Sequence, residues 1–184
     1  MRIVARIAMV AAVPVVAVLA LAATKPDHFR VERSARIAAP PERIFPLIND
    51  FRRWTAWSPY EHKDPAMRRT FSGPASGPGS IYEWVGNSSV GSGRMEIVES
   101  SGPERVAIKL DFLKPFEGHN MATFALAPSG GATQVTWTMD GPTPFFGKIL
   151  HVFIDMDRMV GRDFEAGLAN LRTAVEREPA RSAS

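Results

Sequence analysis

From Phe29 the chain reads FRVERSARI, in which Phe29, Val31, Arg33, Ala35 and Ile37 hold one parity while Arg30, Glu32, Ser34 and Arg36 hold the other. A period of two predicts a half-buried strand, because successive side chains leave opposite faces of a pleated backbone. Pro40 and Pro41 stop it, and Pro41 suits the first turn of a helix whose apolar stripe is Ile44, Phe45, Leu47 and Ile48. Pro46 keeps that helix short. Asn49 or Asp50 can cap a second short helix, roughly Phe51 to Trp57, which Pro59 ends.

Strand-sized pieces separated by turn residues follow: MRRTFSG, SIYEWVG, SGRMEIVES, RVAIKLDFL, HNMATFALAP and ATQVTWTMD. In the fourth, Val106, Ile108, Leu110 and Phe112 alternate with Ala107, Lys109 and Asp111; in the last, Val135, Trp137 and Met139 alternate with Gln134, Thr136, Thr138 and Asp140. Six short strands with hairpin-scale connections imply a continuous antiparallel sheet with one apolar face. The period then changes. Ile149, Phe153, Met156, Val160, Phe164, Leu168, Leu171 and Val175 recur at spacings of four and three, so they share one stripe of a helix running from about Phe145 to Glu176. Gly161 and Gly167 weaken this helix by about 1 kcal/mol each relative to alanine and mark a bend or a close contact with the sheet. The arrangement is α+β: a curved seven-stranded antiparallel sheet wrapped around one long C-terminal helix, with two short helices after the first strand.

Ahead of this lies an uncharged run, Ile7 to Ala23, with Arg2 and Arg6 before it and Lys25, Pro26 and Asp27 after it. As a helix it would extend about 25 Å, a little short of the ~30 Å hydrocarbon core, but Ile3 to Ala5 lengthen it and Arg6 can snorkel. The expectation is an N-terminal hydrophobic helix over 1–24 that serves as a membrane anchor, placing a single-pass protein in the cell membrane with its C-terminal domain outside the cytoplasm. The alternative is a signal cleaved after Ala20-Leu21-Ala22, giving a secreted or periplasmic protein. The domain is then 29–177, and the tail 178–184 has nothing to bury.

Composition narrows the chemistry. The 184 residues suit one domain with an appendage, and the formal charge is only +3, with basic residues scattered rather than clustered, which argues against nucleic acid as a partner. Absence of cysteine excludes disulfides, thiolate metal sites and thiol catalysis. His28, His62, His119 and His151 stand far apart, and there is no HExxH, phosphate-cradling glycine loop or nucleophile elbow, so neither a metal nor another cofactor is expected. Parity points His119 away from the face of Ala122, Phe124 and Leu126, towards solvent, whereas Tyr82 and Trp84 share a core or pocket-wall face and Glu83 opposes them.

The order of elements, together with RSARIAAPPERIFPLINDFRRWTAWSPYEHKDPAM, YEWVGNSSVGSGRMEIVES and DMDRMVGRDFEAGLANL, resembles the SRPBCC (START/Bet v 1-like) superfamily, and within it the membrane-tethered polyketide cyclase/dehydrase-like bacterial group. The resemblance implies a helix-grip fold with a cavity between sheet and C-terminal helix that accepts an apolar or amphipathic small molecule or lipid. The residues expected to line it are Trp54, Trp57, Tyr82, Trp84, Phe112, Phe124, Trp137, Phe153, Met156, Val160 and Phe164. A non-enzymatic binding module follows from the lack of a compact catalytic constellation; the alternatives are a cyclase or dehydrase acting on a carbonyl compound, and a protein-interaction domain with a filled core. Within WTAWSPYEHKDP, Trp54, Trp57 and Pro59 are expected to close one mouth of the grip, and Glu61, His62 and Asp64 to form a solvated link.

Overall fold

The computed structural model describes residues 14–177. A strand β1 (His28–Ile37) leads into helix α1 (Pro41–Asn49), a 3-10 turn (Phe51–Ala56) and helix α2 (Pro59–Lys63). Six strands follow, β2 (Arg68–Ser72), β3 (Ile81–Val85), β4 (Ser92–Ser101), β5 (Arg105–Lys114), β6 (Gly118–Ser129) and β7 (Ala132–Pro142), and then helices α3 (Phe145–Phe153) and α4 (Met156–Arg177). All pair antiparallel in the order β1-β7-β6-β5-β4-β3-β2, a seven-stranded sheet with α4 across its concave face. This is a helix-grip α+β fold.

The alternation in the sequence becomes rows across the sheet. Arg33 lies opposite Trp137, which lies opposite Phe124, which lies opposite Val106. The adjacent row runs Val31, Met139, Ala122, Ile108, Ile97. Both rows face α4, whose buried stripe is Val160, Phe164, Leu168, Leu171 and Val175. A register shift between Ile97 and Glu99 in β4 adds the local twist that bends a sheet around a helix. The two glycines of α4 meet the sheet side closely. A Cβ on Gly161 would run into the Arg33 guanidinium, and one on Gly167 would lie 2.7 Å from Trp137 Cζ3 and 3.0 Å from Pro59 Cδ.

Three expectations need correction. The C-terminal helix is two helices: Ile154 is extended, and the Asp155 carboxylate accepts the Arg158 N–H at 3.0 Å, so Asp155 caps a new helix three residues before Arg158. The apolar 4-3 spacing runs through this break and conceals it. Pro59 does not only end the turn before it; at the first position of α2 it starts another helix, which carries Glu61 inwards. Single-pass membrane localisation is not supported: among the described residues no helix is long and apolar enough to cross a membrane. The earlier part of the uncharged run and the tail from 178 lie outside the described residues.

Candidate ligand-binding groove

The segment between β1 and β2 is fixed by its tryptophans. Trp54 Nε1–H donates to the Ile48 carbonyl and Trp57 Nε1–H to the Leu47 carbonyl, each at 2.9 Å, so both indoles are satisfied against the end of α1. Their rings are 4.8 Å apart, and Trp57 meets Phe124 and Trp137 edge-on at 5.9 and 5.7 Å. Trp137 in turn stacks on Phe164 of α4 with 3.9 Å between centroids. These rings fill the space between sheet and helix at this end of the grip.

Tyr82 and Trp84 lie buried on the concave face of β3, as their parity requires, with Trp84 Nε1–H donating to the Val90 carbonyl at 2.9 Å and Phe112 edge-on to its ring. Tyr82 Oη–H donates to Glu61 Oε1 at 2.7 Å. Glu61 itself is only 6% exposed, and its other oxygen accepts Arg69 Nε–H at 2.7 Å. The reading of Glu61 as a solvated link is therefore corrected: α2 tucks its carboxylate under β2 and β3, where a phenol and a guanidinium satisfy it. Burial, with the carboxylate second, holds the Tyr82 hydroxyl well above the usual phenol range, so it stays a donor. His62 is exposed. Asp64 anchors a loop, accepting the backbone N–H of Ala66 at 3.2 Å and of Asn87 at 2.7 Å.

On the convex face, His119 is exposed as expected, with its Nδ1 2.7 Å from the Asp111 carboxylate. The pair lies across β5 and β6, on the side of the sheet opposite Phe124 and Ile108. Among the described residues no three His, Asp or Glu side chains gather closely enough to hold a metal ion.

Among the described residues, open space lies at the other end of β1. A groove of about 600 Å³ runs between the start of β1 and the α3–α4 joint, with Lys25, Pro26, His28, Phe29, Arg30 and Val31 on one side and His151 to Asp157 on the other. Of the residues expected to line a cavity, Phe153 and Met156 do line this groove, Phe153 being 71% exposed. Val160 and Phe164 lie further along α4, buried against the sheet with Trp137, Phe124, Trp57 and Trp54. Tyr82, Trp84 and Phe112 belong to the opposite end of the sheet.

A polar clasp stands beside the groove. No residue of α3 is fully buried, although its sequence FFGKILHVF is apolar. Lys148 reaches from it to Asp27 at 2.6 Å, and the Thr143 N–H donates to the Asp27 carbonyl at 2.6 Å. The bonded ammonium holds the Asp27 carboxyl below the usual carboxylate range. One turn on, the His151 ring meets Phe29 edge-on with 6.3 Å between centroids. Burial, and then the charge of Lys25, lowers the proton affinity of His151, leaving a neutral imidazole in the groove wall at neutral pH. The acids of the joint are engaged: Asp157 grips Arg33 through both carboxylate oxygens at 3.0 and 2.9 Å, and Asp155 caps α4. Among the described residues no serine, threonine or tyrosine lines the groove. The lining thus offers apolar surface, a neutral imidazole, the Lys25 ammonium and two carboxylates that are already engaged. Nothing in the spacing of these residues marks them in the sequence, since 25–31 and 151–157 meet only through the fold.

A family model described as polyketide cyclase / dehydrase and lipid transport matches residues 28–176. No curated protein sequence matches significantly. Among solved structures, TTHA0849 from Thermus thermophilus is similar with a TM-score of 0.58 at 22% identity, covering 80% of this chain and 97% of its own. The Aha1 dimer from Colwellia psychrerythraea gives 0.59 at 16%, covering 81% and 97%, and CV1439 from Chromobacterium violaceum 0.57 at 18%, covering 83% and 100%. At these identities the likeness is one of fold.

Proposed function

Because this chain belongs to the polyketide cyclase/dehydrase and lipid transport family, we propose that it is a binding module that takes one apolar or amphipathic small molecule into the groove between β1 and the α3–α4 joint. The observation that carries this is the groove itself. Its volume of about 600 Å³ falls within the ~300 to 1,000 Å³ of small-molecule sites, and Phe29, Val152, Phe153, Ile154 and Met156 give it one apolar side beside a polar one. The tightly packed rings at the tryptophan end support placing the ligand here rather than between Trp137 and Phe164. Fluorescence titration with Nile red, an uncharged apolar dye, tests the reading. Saturable binding to the wild-type protein is expected, and Met156→Trp should abolish it while leaving the far-ultraviolet circular dichroism unchanged. Absence of binding to the wild-type protein, or binding indifferent to Met156→Trp, would overturn it.

A further inference from the structure

The groove is not evenly polar, and its charges can be paired off one by one. Arg30 turns to the convex side and bonds Glu32 at 2.6 Å. Asp157 gives both carboxylate oxygens to Arg33, which Glu165 also holds at 2.8 Å. Asp155 accepts the Arg158 N–H. Asp27, beside the groove, is taken by Lys148. Lys25 remains. It is half-buried, its backbone N–H donates to the Ala22 carbonyl, and no carboxylate among the described residues pairs with its ammonium. His151 faces the same space, and the charge of Lys25 is felt at its ring. The apolar stretch Val152, Phe153, Ile154 and Met156 continues from that point along the groove.

We propose that the groove's ligand is a single-chain amphiphile ending in a carboxylate, its head on the Lys25 ammonium and the His151 imidazole and its chain along Phe29, Val152, Phe153 and Met156. This rests on the groove being the ligand site, and it adds the chemistry of the head. Lys25 stands half-buried in the groove wall with no acid among the described residues paired to it, and a carboxylate entering the groove gains a charge-assisted hydrogen bond there. An imidazole N–H serves the second oxygen. Amine-headed ligands would meet the same cation and be repelled. The free acid is favoured over an anionic two-chain lipid because a groove of about 600 Å³ holds one small molecule.

Competition against Nile red with laurate, 1-dodecanol and dodecyltrimethylammonium, which share a chain and differ in the head, decides the matter. Laurate is expected to displace the dye at a concentration about tenfold or more below dodecanol, and the ammonium compound only above it. Lys25→Gln should remove the advantage of laurate without changing dodecanol, and Lys25→Glu should reverse the order of laurate and the ammonium compound. Equal potency of laurate and dodecanol on the wild-type protein would overturn the head-group assignment while leaving the groove a ligand site. So would a laurate preference that survives Lys25→Glu. Displacement by vesicles of dilauroylphosphatidylglycerol but not by laurate would overturn the free acid as its source. Failure of every alkyl probe on a protein that still binds the dye saturably would sink the amphiphile, and loss of dye binding altogether would sink the groove. The wild-type series stands alone if a Lys25 variant fails to fold.

Discussion

The rings of Trp137 and Phe164 lie face to face, 3.9 Å between centroids and 7° from parallel, joining β7 to α4 at the centre of the core. Trp137 nevertheless buries an indole N–H that no acceptor among the described residues meets, whereas Trp57 Nε1–H donates to the Leu47 carbonyl at 2.9 Å. Replacing each by phenylalanine separates packing from hydrogen bonding. Trp57→Phe loses volume and orphans a carbonyl; Trp137→Phe loses volume but frees the fold of an unsatisfied donor. Trp57→Phe should therefore cost about 1 to 3 kcal/mol more than Trp137→Phe in urea unfolding. Truncation at either position, as in Trp57→Ala, should cost about 3 to 5 kcal/mol.

Neighbouring residues of α2 should behave in opposite ways. Glu61→Ala strands the buried Tyr82 hydroxyl and leaves Arg69 without its carboxylate, for an expected loss of about 3 kcal/mol. His62→Ala, on the wet side of the same turn, should stay within about 0.5 kcal/mol of wild type. Equal effects in chemical denaturation would contradict the burial of Glu61.

These two residues show where a sequence stops being legible. Parity along β1, β6 and β7 was readable because a strand's period is local, and it placed Val31, Phe124 and Trp137 on the concave face correctly. Seven strands and their antiparallel pairing followed from turn residues and hairpin-scale connections. The fate of Glu61 was not readable, because its partners Arg69 and Tyr82 arrive on a hairpin whose position no neighbouring residue encodes. The break at Ile154 and Asp155 escaped because the apolar stripe continues in register across it, leaving one capping carboxylate as the only local sign. The groove is further removed still. Segments more than a hundred positions apart make it, so no local pattern joins Phe29, Lys25 and His151 to Phe153 and Met156.

Gly161 and Arg33 form a testable couple. Alanine in a helix interior ordinarily gains about 1 kcal/mol over glycine. At Gly161 the added Cβ would occupy the place of the Arg33 guanidinium, which Asp157 and Glu165 hold down across the helix. Gly161→Ala is therefore expected to destabilise the wild-type protein. In an Arg33→Ala background the same substitution should stabilise by about 1 kcal/mol. A double-mutant cycle by urea denaturation reads the change of sign, and identical effects in both backgrounds would show that the guanidinium does not lie over Gly161.

His151 sets the expected response to acid. Burial and the charge of Lys25 push its proton affinity below the ordinary value of 6.5, so above that pH both folded and unfolded chains carry a neutral ring and its contribution to stability is complete. As the pH falls from 6.5 towards the depressed value, the unfolded chain takes up the proton first, and stability declines. Carboxyl groups held low by their partners lose their contribution further down, Asp27 and Asp157 around and below 3.8 and Glu32 around and below 4.5. The melting temperature should therefore drop between about pH 6.5 and 5, and His151→Phe, which keeps a ring against Phe29 but cannot charge, should flatten that drop. An unchanged slope in the His151→Phe protein would place the proton uptake at another group.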